Sequence, residues 1–246
     1  NRYLLQAWVY IARCLEHEFA PYLGPVMIRI LQTIEHNAKE CEQELSEENF
    51  EEMENRSDMD VIEGTKGLVA YRTSSVEELA CACQLIKLVA EKMQGLFYPF
   101  VEQTTRILTP LVQSPHDDVR CFAIMSMAEL VTVTVKNNTA GEQVVVQIST
   151  YIVGILVEFL HAEVVLEIII AGLRAVNTVV RQSSLSSQMN RFEKNSSFDE
   201  HSCKPIFSTG QLNSLSQCVQ SMLRDSIQRR AVQRAESAVT RTDNNN

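Results

Sequence analysis

The densest chemistry in this sequence is a run of acids. Between Glu40 and Asp60 stand Glu42, Glu44, Glu47, Glu48, Glu51, Glu52, Glu54, Asp58 and Asp60, and Arg56 is the only base after Lys39. Carboxylates this crowded repel one another and stay in water, and they attract basic partners over a range set by salt. Glu47, Glu48, Glu51, Glu52, Glu54, Asp58 and Asp60 are therefore candidate contacts for a basic protein segment. A solvated insertion without a partner is the plainer alternative. The chain as a whole carries 31 acids against 22 bases, a formal charge of −9. That balance argues against nucleic acid, whose phosphates need Lys and Arg.

Metal and nucleophilic chemistry find little support. His17, His36, His116, His161 and His201 fall near helix ends and loops without a recurring ligand spacing. Cys14, Cys41, Cys81, Cys83, Cys121, Cys203 and Cys218 are odd in number and show no disulfide or zinc framework. Cys81 and Cys83 lie two apart in a helical pattern, so they point to different faces. Reduced, mostly buried thiols of a cytosolic or nuclear protein are expected. No Gly-rich phosphate loop or nucleophile elbow appears. The expectation is a binding protein with no cofactor, no metal and no catalysis.

The elements that would carry these residues are helices. Only 8 Gly and 6 Pro interrupt 246 residues, which favours long helices joined by few loops. Residues 1–37 read as a helix pair, with stripes Leu4, Trp8, Ile11, Leu15 and then Leu23, Met27, Ile30, Ile34 on either side of Pro21. Trp8 reads as core. Residues 38–74 form the acidic loop, with a short β-hairpin possible in its Val61–Tyr71 part. A second pair spans 75–113. It opens on Ser75 and Glu78 at capping-box spacing, continues through Leu79, Cys83, Ile86 and Ala90, and turns at Gly95 into a helix carrying Phe97, Val101, Leu108 and Val112. A third pair, 114–160, holds Ala123, Met127 and Leu130, then Val144, Ile148, Ile152, Ile155 and Phe159. The fourth, 161–240, carries Val165, Ile169, Gly172 and Val176, a Ser-rich insertion over 182–207, and a last helix with Leu212, Leu215, Val219 and Met222. Residues 241–246 read as a tail.

The pairs open near 75, 117 and 163, roughly 42 and 46 residues apart, inside the range of HEAT and armadillo units. Such pairs bury their apolar faces only by stacking on neighbours. The fold class expected is therefore all-α, a right-handed α-solenoid of antiparallel helix pairs. Asn1 opens inside a helical pattern without an initiator Met, so the chain reads as a fragment of a longer array. No segment reads as a signal peptide or a membrane span. The apolar stretch from Val164 to Ile170 is short for one and holds Glu167.

Asp117-Asp118-Val119-Arg120-x-x-Ala123 resembles the HEAT signature. There the acid caps the first helix and the Arg can bridge to the acid of the adjacent repeat. Tyr3-Leu4-Leu5-Gln6-Ala7-Trp8, Glu18-Phe19-Ala20-Pro21-Tyr22-Leu23-Gly24-Pro25-Val26-Met27, Met53-Glu54-Asn55-Arg56-Ser57-Asp58-Met59-Asp60, Glu77-Glu78-Leu79-Ala80-Cys81-Ala82-Cys83-Gln84 and Pro110-Leu111-Val112 resemble central repeats of the importin-β (karyopherin-β) family, of the importin-5 (importin β-3) type. The likeness is strong to about residue 130 and looser to about 240. The tail from Thr242 to Asn246 departs from an acidic family segment.

The resemblance implies a nuclear transport receptor in cytoplasm and nucleus. It would bind cargo bearing nuclear localisation signals and FG-repeat nucleoporins, and would meet Ran GTPase mainly through N-terminal repeats that this chain lacks. The second helices would line the concave side, where Glu102, Gln103, Glu142, Gln143, Gln147, Tyr151 and Glu158 could accept bonds from Lys-rich peptides. Glu102, Glu142 and Glu158 then join the acidic-loop residues as candidate contacts. A non-transport HEAT scaffold, of the phosphatase regulatory or coat-adaptor type, shares the fold and is the alternative.

Overall fold

Apolar residues returning every three or four positions decide which helix faces meet. A computed structural model describes residues 2–40, 43–44, 59–64, 67–137, 139–193, 207–222 and 224, and the chain divides into two units, 1–206 and 207–246. In the first unit the described helices are α1 (Arg2–Leu15), α2 (Ala20–Glu40), α3 (Thr73–Met93), α4 (Val101–Leu111), α5 (Asp117–Lys136), α6 (Glu142–Ala162) and α7 (Leu166–Glu193). Short 3-10 turns, Glu16–Phe19 and Gln94–Phe100, lead from α1 to α2 and from α3 to α4. A left-handed residue begins each turn, Glu16 at φ 46° and Gln94 at φ 49°.

The first helices form one row, with α1 on α3, α3 on α5 and α5 on α7. Each second helix lies against the first helix of the next pair: α2 on α3, α4 on α5 and α6 on α7. This is the all-α HEAT-type stack. Its period shows in the bonds between pairs. Ser126 Oγ donates to the Cys83 carbonyl at 3.0 Å and Asn137 Nδ2 to the Gly95 carbonyl at 3.0 Å. Arg120 Nε donates to Glu163 at 2.8 Å. Each pair of partners stands 42 or 43 residues apart.

The Arg120 bridge to the next repeat is as expected, but the caps differ. His116, without a side-chain cap bond, is the N-cap of α5, and Asp117 instead accepts from Arg120 at 2.7 Å. The carboxylate that does cap a helix start is Glu163, which accepts from the Val164 and Val165 amides at 2.9 and 3.0 Å. Ser75 and Glu78 make no capping box, because α3 already begins at Thr73; Ser75 is buried and Glu78 accepts from Asn37 at 3.4 Å.

The stripes of α3 and α5, Leu23 to Ile34 in α2, and Phe97, Val101, Leu108 and Val112 are buried as expected. The stripe of α1 is displaced by one residue; that of α6 is displaced in part, with Ile152 and Phe159 buried as expected. In α1 the buried face is Leu5, Val9 and Ala12, while Leu4 and Ile11 are exposed and Trp8 is half-buried, edge-on to Phe19 at 6.1 Å. In α6 it is Val145, Ser149, Ile152, Val153, Leu156, Phe159 and Leu160, while Val144 is exposed and Ile148 and Ile155 are half-buried. Both helices are apolar over more than one face, so periodicity alone admits two registers. By length and composition α6 would also pass for a membrane span, and a core helix passes the same test. In α7 the buried face is Ile168, Ala171, Gly172, Ala175, Val176 and Val179; Val165 and Ile169 are half-buried.

Helix α7 runs on through 182–193, where the Ser-rich insertion was expected to begin. Ser183 is buried and donates to Ser149 Oγ at 2.8 Å, which satisfies a hydroxyl the core would otherwise penalise. Between α2 and α3, β1 (Gln43–Glu44), β2 (Met59–Gly64) and β3 (Gly67–Arg72) form an antiparallel sheet in the order β1-β3-β2, with Gly64 opposite Gly67 at the turn of the hairpin. Tyr71 of β3 is buried edge-on to His116 at 4.6 Å, which ties this sheet to the start of α5.

In the second unit a helix covers 209–222, opened by a capping box: the Gln211 amide donates to Ser208 Oγ and the Ser208 amide to Gln211 Oε1, at 3.2 and 3.1 Å. There Cys218 is buried, Leu215, Val219 and Met222 are half-buried and Leu212 is exposed. The described cysteines are free thiols. Cys83 and Cys218 are buried, Cys81 and Cys121 half-buried and Cys14 exposed, and burial pushes the Cys83 thiol up to about 12.

Candidate protein-binding groove

Helices α4 and α6 are the second helices of consecutive pairs, and they do not close on each other. A groove of ≈ 860 Å³ runs between them. The turn before α4 supplies Tyr98 and Pro99; α4 supplies Val101, Glu102, Thr105, Arg106, Thr109 and Pro110. From α6 come Val144, Gln147, Ile148 and Tyr151, at the three- and four-residue spacing of one helix face. The hydroxyls of Thr109 and Tyr151 meet across it at 3.3 Å. Thr105 and Thr109 close onto the carbonyls four residues back, of Val101 and Thr105, each at 2.8 Å, so they offer little further donor capacity.

The groove thus has apolar walls and a polar rim. Glu102 and Arg106, both exposed and one turn apart on α4, give it charges of both signs. Gln147 adds an amide that can both donate and accept. Such a lining suits an extended peptide: apolar side chains against Val144, Ile148 and Pro110, basic groups at Glu102, main-chain amides at Gln147. Its lining holds no histidine and no cysteine. Among the described residues no group of three or more metal-ligating side chains converges anywhere.

Of the second-helix residues expected to bind, the groove brings together Glu102, Gln147 and Tyr151. Glu158 is exposed two turns beyond Tyr151 on the same face of α6. Glu142 is exposed in the first turn of α6, half a circumference away from Tyr151, and so stands off the groove. Asp60 sits on β2 opposite Tyr71. Glu47, Glu48, Glu51, Glu52, Glu54 and Asp58 lie outside the described residues. Sequence reasoning missed Val144 and Ile148 as groove wall by counting them into the core. The available signal was the excess of apolar residues on α6 over what one buried face needs.

No protein-family model matches the sequence. Solved structures match its fold. Kap121p superimposes with a TM-score of 0.73 at 22% identity, over 92% of this chain and 20% of that one. The karyopherin Kap121p bound to the SUMO protease Ulp1p gives 0.69 at 21% over the same shares. Kap121p bound to Nup53p gives 0.63 at 20%, over 90% of this chain and 23% of that one. Identity this low establishes the fold, and function has to be argued from the site. The chain spans about a fifth of the Kap121p chains it matches.

Proposed function

We propose that this chain is a segment of a nuclear import receptor of the karyopherin-β family, of the importin-5 type, and that the groove between α4 and α6 takes part of a protein cargo. The observation that carries this reading is the fold match to Kap121p over 92% of the chain, including the form that holds Ulp1p. The groove supports it from within: it opens on the second-helix row and gathers Glu102, Gln147 and Tyr151 around apolar walls. In this reading a cargo segment with a nuclear localisation signal lies in the groove, and the acids between Glu47 and Asp60 draw its basic residues in by long-range attraction. The whole receptor meets Ran in its GTP form mainly through repeats outside this chain, releases cargo in response, contacts FG-repeat nucleoporins and shuttles between cytoplasm and nucleus. The segment binds; it has no cofactor and no catalytic role.

The test is a pull-down with the full-length parent, using Ran loaded with GTP or with GDP and a lysate as cargo source. GTP-dependent Ran binding with loss of basic cargo is expected. Ran binding that ignores the nucleotide would overturn the import reading and leave a HEAT scaffold with other partners.

A further inference from the structure

The groove between α4 and α6 carries a charge pattern that binding a basic segment does not require. Among the described residues its lining holds one acid and one base, Glu102 and Arg106. Both are exposed on α4, with the acid four residues before the base, the spacing and order in which such a pair bridges best. The chain uses helical spacings of this kind elsewhere: Lys87 reaches Glu91 at 3.4 Å, and Arg120 reaches Asp117 at 2.7 Å. Glu102 and Arg106 make no ion pair with each other or with another described residue, so each charge is open to a ligand.

The facing wall is apolar. Thr109 and Tyr151 meet 42 residues apart, and the same offset matches Glu102 to Val144 and Arg106 to Ile148. Each charge on α4 thus has an apolar counterpart on α6. Four residues of a helix advance about 6 Å along its axis. In an extended chain, residues i and i+2 share one side and lie about 6.6 Å apart, while the residue between them points the other way. A segment lying along the groove can therefore meet Glu102 and Arg106 with two side chains and turn the one between them towards Val144 and Ile148.

We infer that this groove selects an extended protein segment of mixed charge: a lysine for Glu102 and a carboxylate for Arg106, two residues apart, with an apolar residue between them. The inference rests on the reading that the groove takes cargo, and it narrows which cargo. A uniformly basic segment sets its second ammonium against the Arg106 guanidinium, a like-charge contact that discriminates against it. The excess of 31 acids over 22 bases in the chain draws both kinds of segment near. The groove then separates them by the charge each presents to Arg106.

The test uses the full chain and labelled peptides of one length with uncharged flanks, followed by fluorescence anisotropy at physiological salt. Their centres are Lys-Val-Glu, its reverse Glu-Val-Lys, Lys-Val-Gln and Lys-Val-Lys. One of the two mixed-charge orders should bind about threefold tighter than Lys-Val-Gln, the scale of an exposed ion pair. Arg106→Glu should move the preference about tenfold from that peptide towards Lys-Val-Lys, since one attraction is lost and another gained. Should the reversal disturb α4, Arg106→Gln gives a second readout by erasing the gap between the mixed-charge peptide and Lys-Val-Gln. Saturable binding in which the acidic residue adds nothing, or a preference that neither variant moves, overturns the inference and leaves the groove as a site for basic cargo. Absence of saturable binding by all four peptides overturns the groove as a cargo site as well.

Discussion

On the first helices α3, α5 and α7 small residues are buried among the large ones: Ala82 and Ala90, Ala123 and Ala128, and Ala171 and Ala175. Around the opening between α4 and α6 stand larger residues, among them Tyr98, Pro110, Ile148 and Tyr151. Helices approach only as closely as the side chains between them allow. The first-helix row therefore closes and takes up cross-pair bonds such as Ser126 to Cys83, and the second-helix row keeps a groove. Both rows bury apolar side chains, and open space remains on the second-helix side.

The sharpest way to break that contrast is to cut the bridge at the joint of the third and fourth pairs. Arg120 is 14% exposed and Glu163 only 4%, and Arg120 also donates to the carbonyls of Ser114 and Pro115 at 2.8 and 2.9 Å. Arg120→Ala strands a buried carboxylate and two carbonyls, so a loss of about 3–5 kcal/mol is expected, read as a lower urea midpoint at unchanged slope. A loss below about 1 kcal/mol, the level of a surface pair, would show that the joint is held by apolar packing alone. The same bridge sets an acid dependence. Burial raises the pKa of Glu163, but the bonds from Arg120 and from the Val165 and Val164 amides outweigh it and hold the carboxyl below its ordinary 4.5. The unfolded chain then takes up this proton first, so the contribution is complete above the ordinary value and lost as pH falls through the folded one. Glu163→Gln should flatten that acid limb of stability against pH.

A smaller effect separates rigid from yielding contacts around the first helices. A Cβ at Gly95 would lie 2.9 Å from the Lys136 carbonyl oxygen, which is backbone held by the neighbouring turn, whereas one at Gly172 would meet the Leu160 Cδ2 methyl at 2.8 Å. A methyl on a side chain can rotate away and a carbonyl in a packed turn cannot. Gly95→Ala should cost about 1–3 kcal/mol and Gly172→Ala less, as the difference of two thermal midpoints. Equal losses would mean that the turn at Lys136 gives way as easily as a leucine does.

How far these features were legible in the sequence follows from the same contrast. The closed row was easy to read, because α3 and α5 are apolar at Leu79, Cys83 and Ile86 or Ala123, Met127 and Leu130, and those positions are buried. The period was legible from the helix starts, and Arg120 from its motif. The groove was half legible: Glu102, Gln147 and Tyr151 could be picked out as polar residues on second helices, but Val144 and Ile148 belong to an apolar surplus that no single-face rule assigns. Leu4 and Trp8 repeat the error in α1, where they line a second groove of ≈ 420 Å³ with Tyr22 and Val26. The caps failed for a different reason. Ser75 with Glu78 has the right spacing, but α3 starts two residues earlier, Ser75 is buried and Glu78 accepts from Asn37.

The smallest stability effect should accompany the clearest binding effect. Tyr151 is 50% exposed and its hydroxyl meets only Thr109, at 3.3 Å, among the bonds described. Tyr151→Phe keeps the ring and removes that bond, and Val144→Ala trims an exposed wall residue; each should change stability by under about 0.5 kcal/mol, as surface substitutions do. Affinity responds differently, because a ligand in the groove desolvates this wall and so depends on its shape and its hydroxyl. Anisotropy of a fluorescent basic cargo peptide should therefore show weaker binding in both variants at unchanged thermal midpoint. Weaker binding that tracks a fall in midpoint would mean that the groove wall also supports the fold, and the contrast between the two rows would be lost.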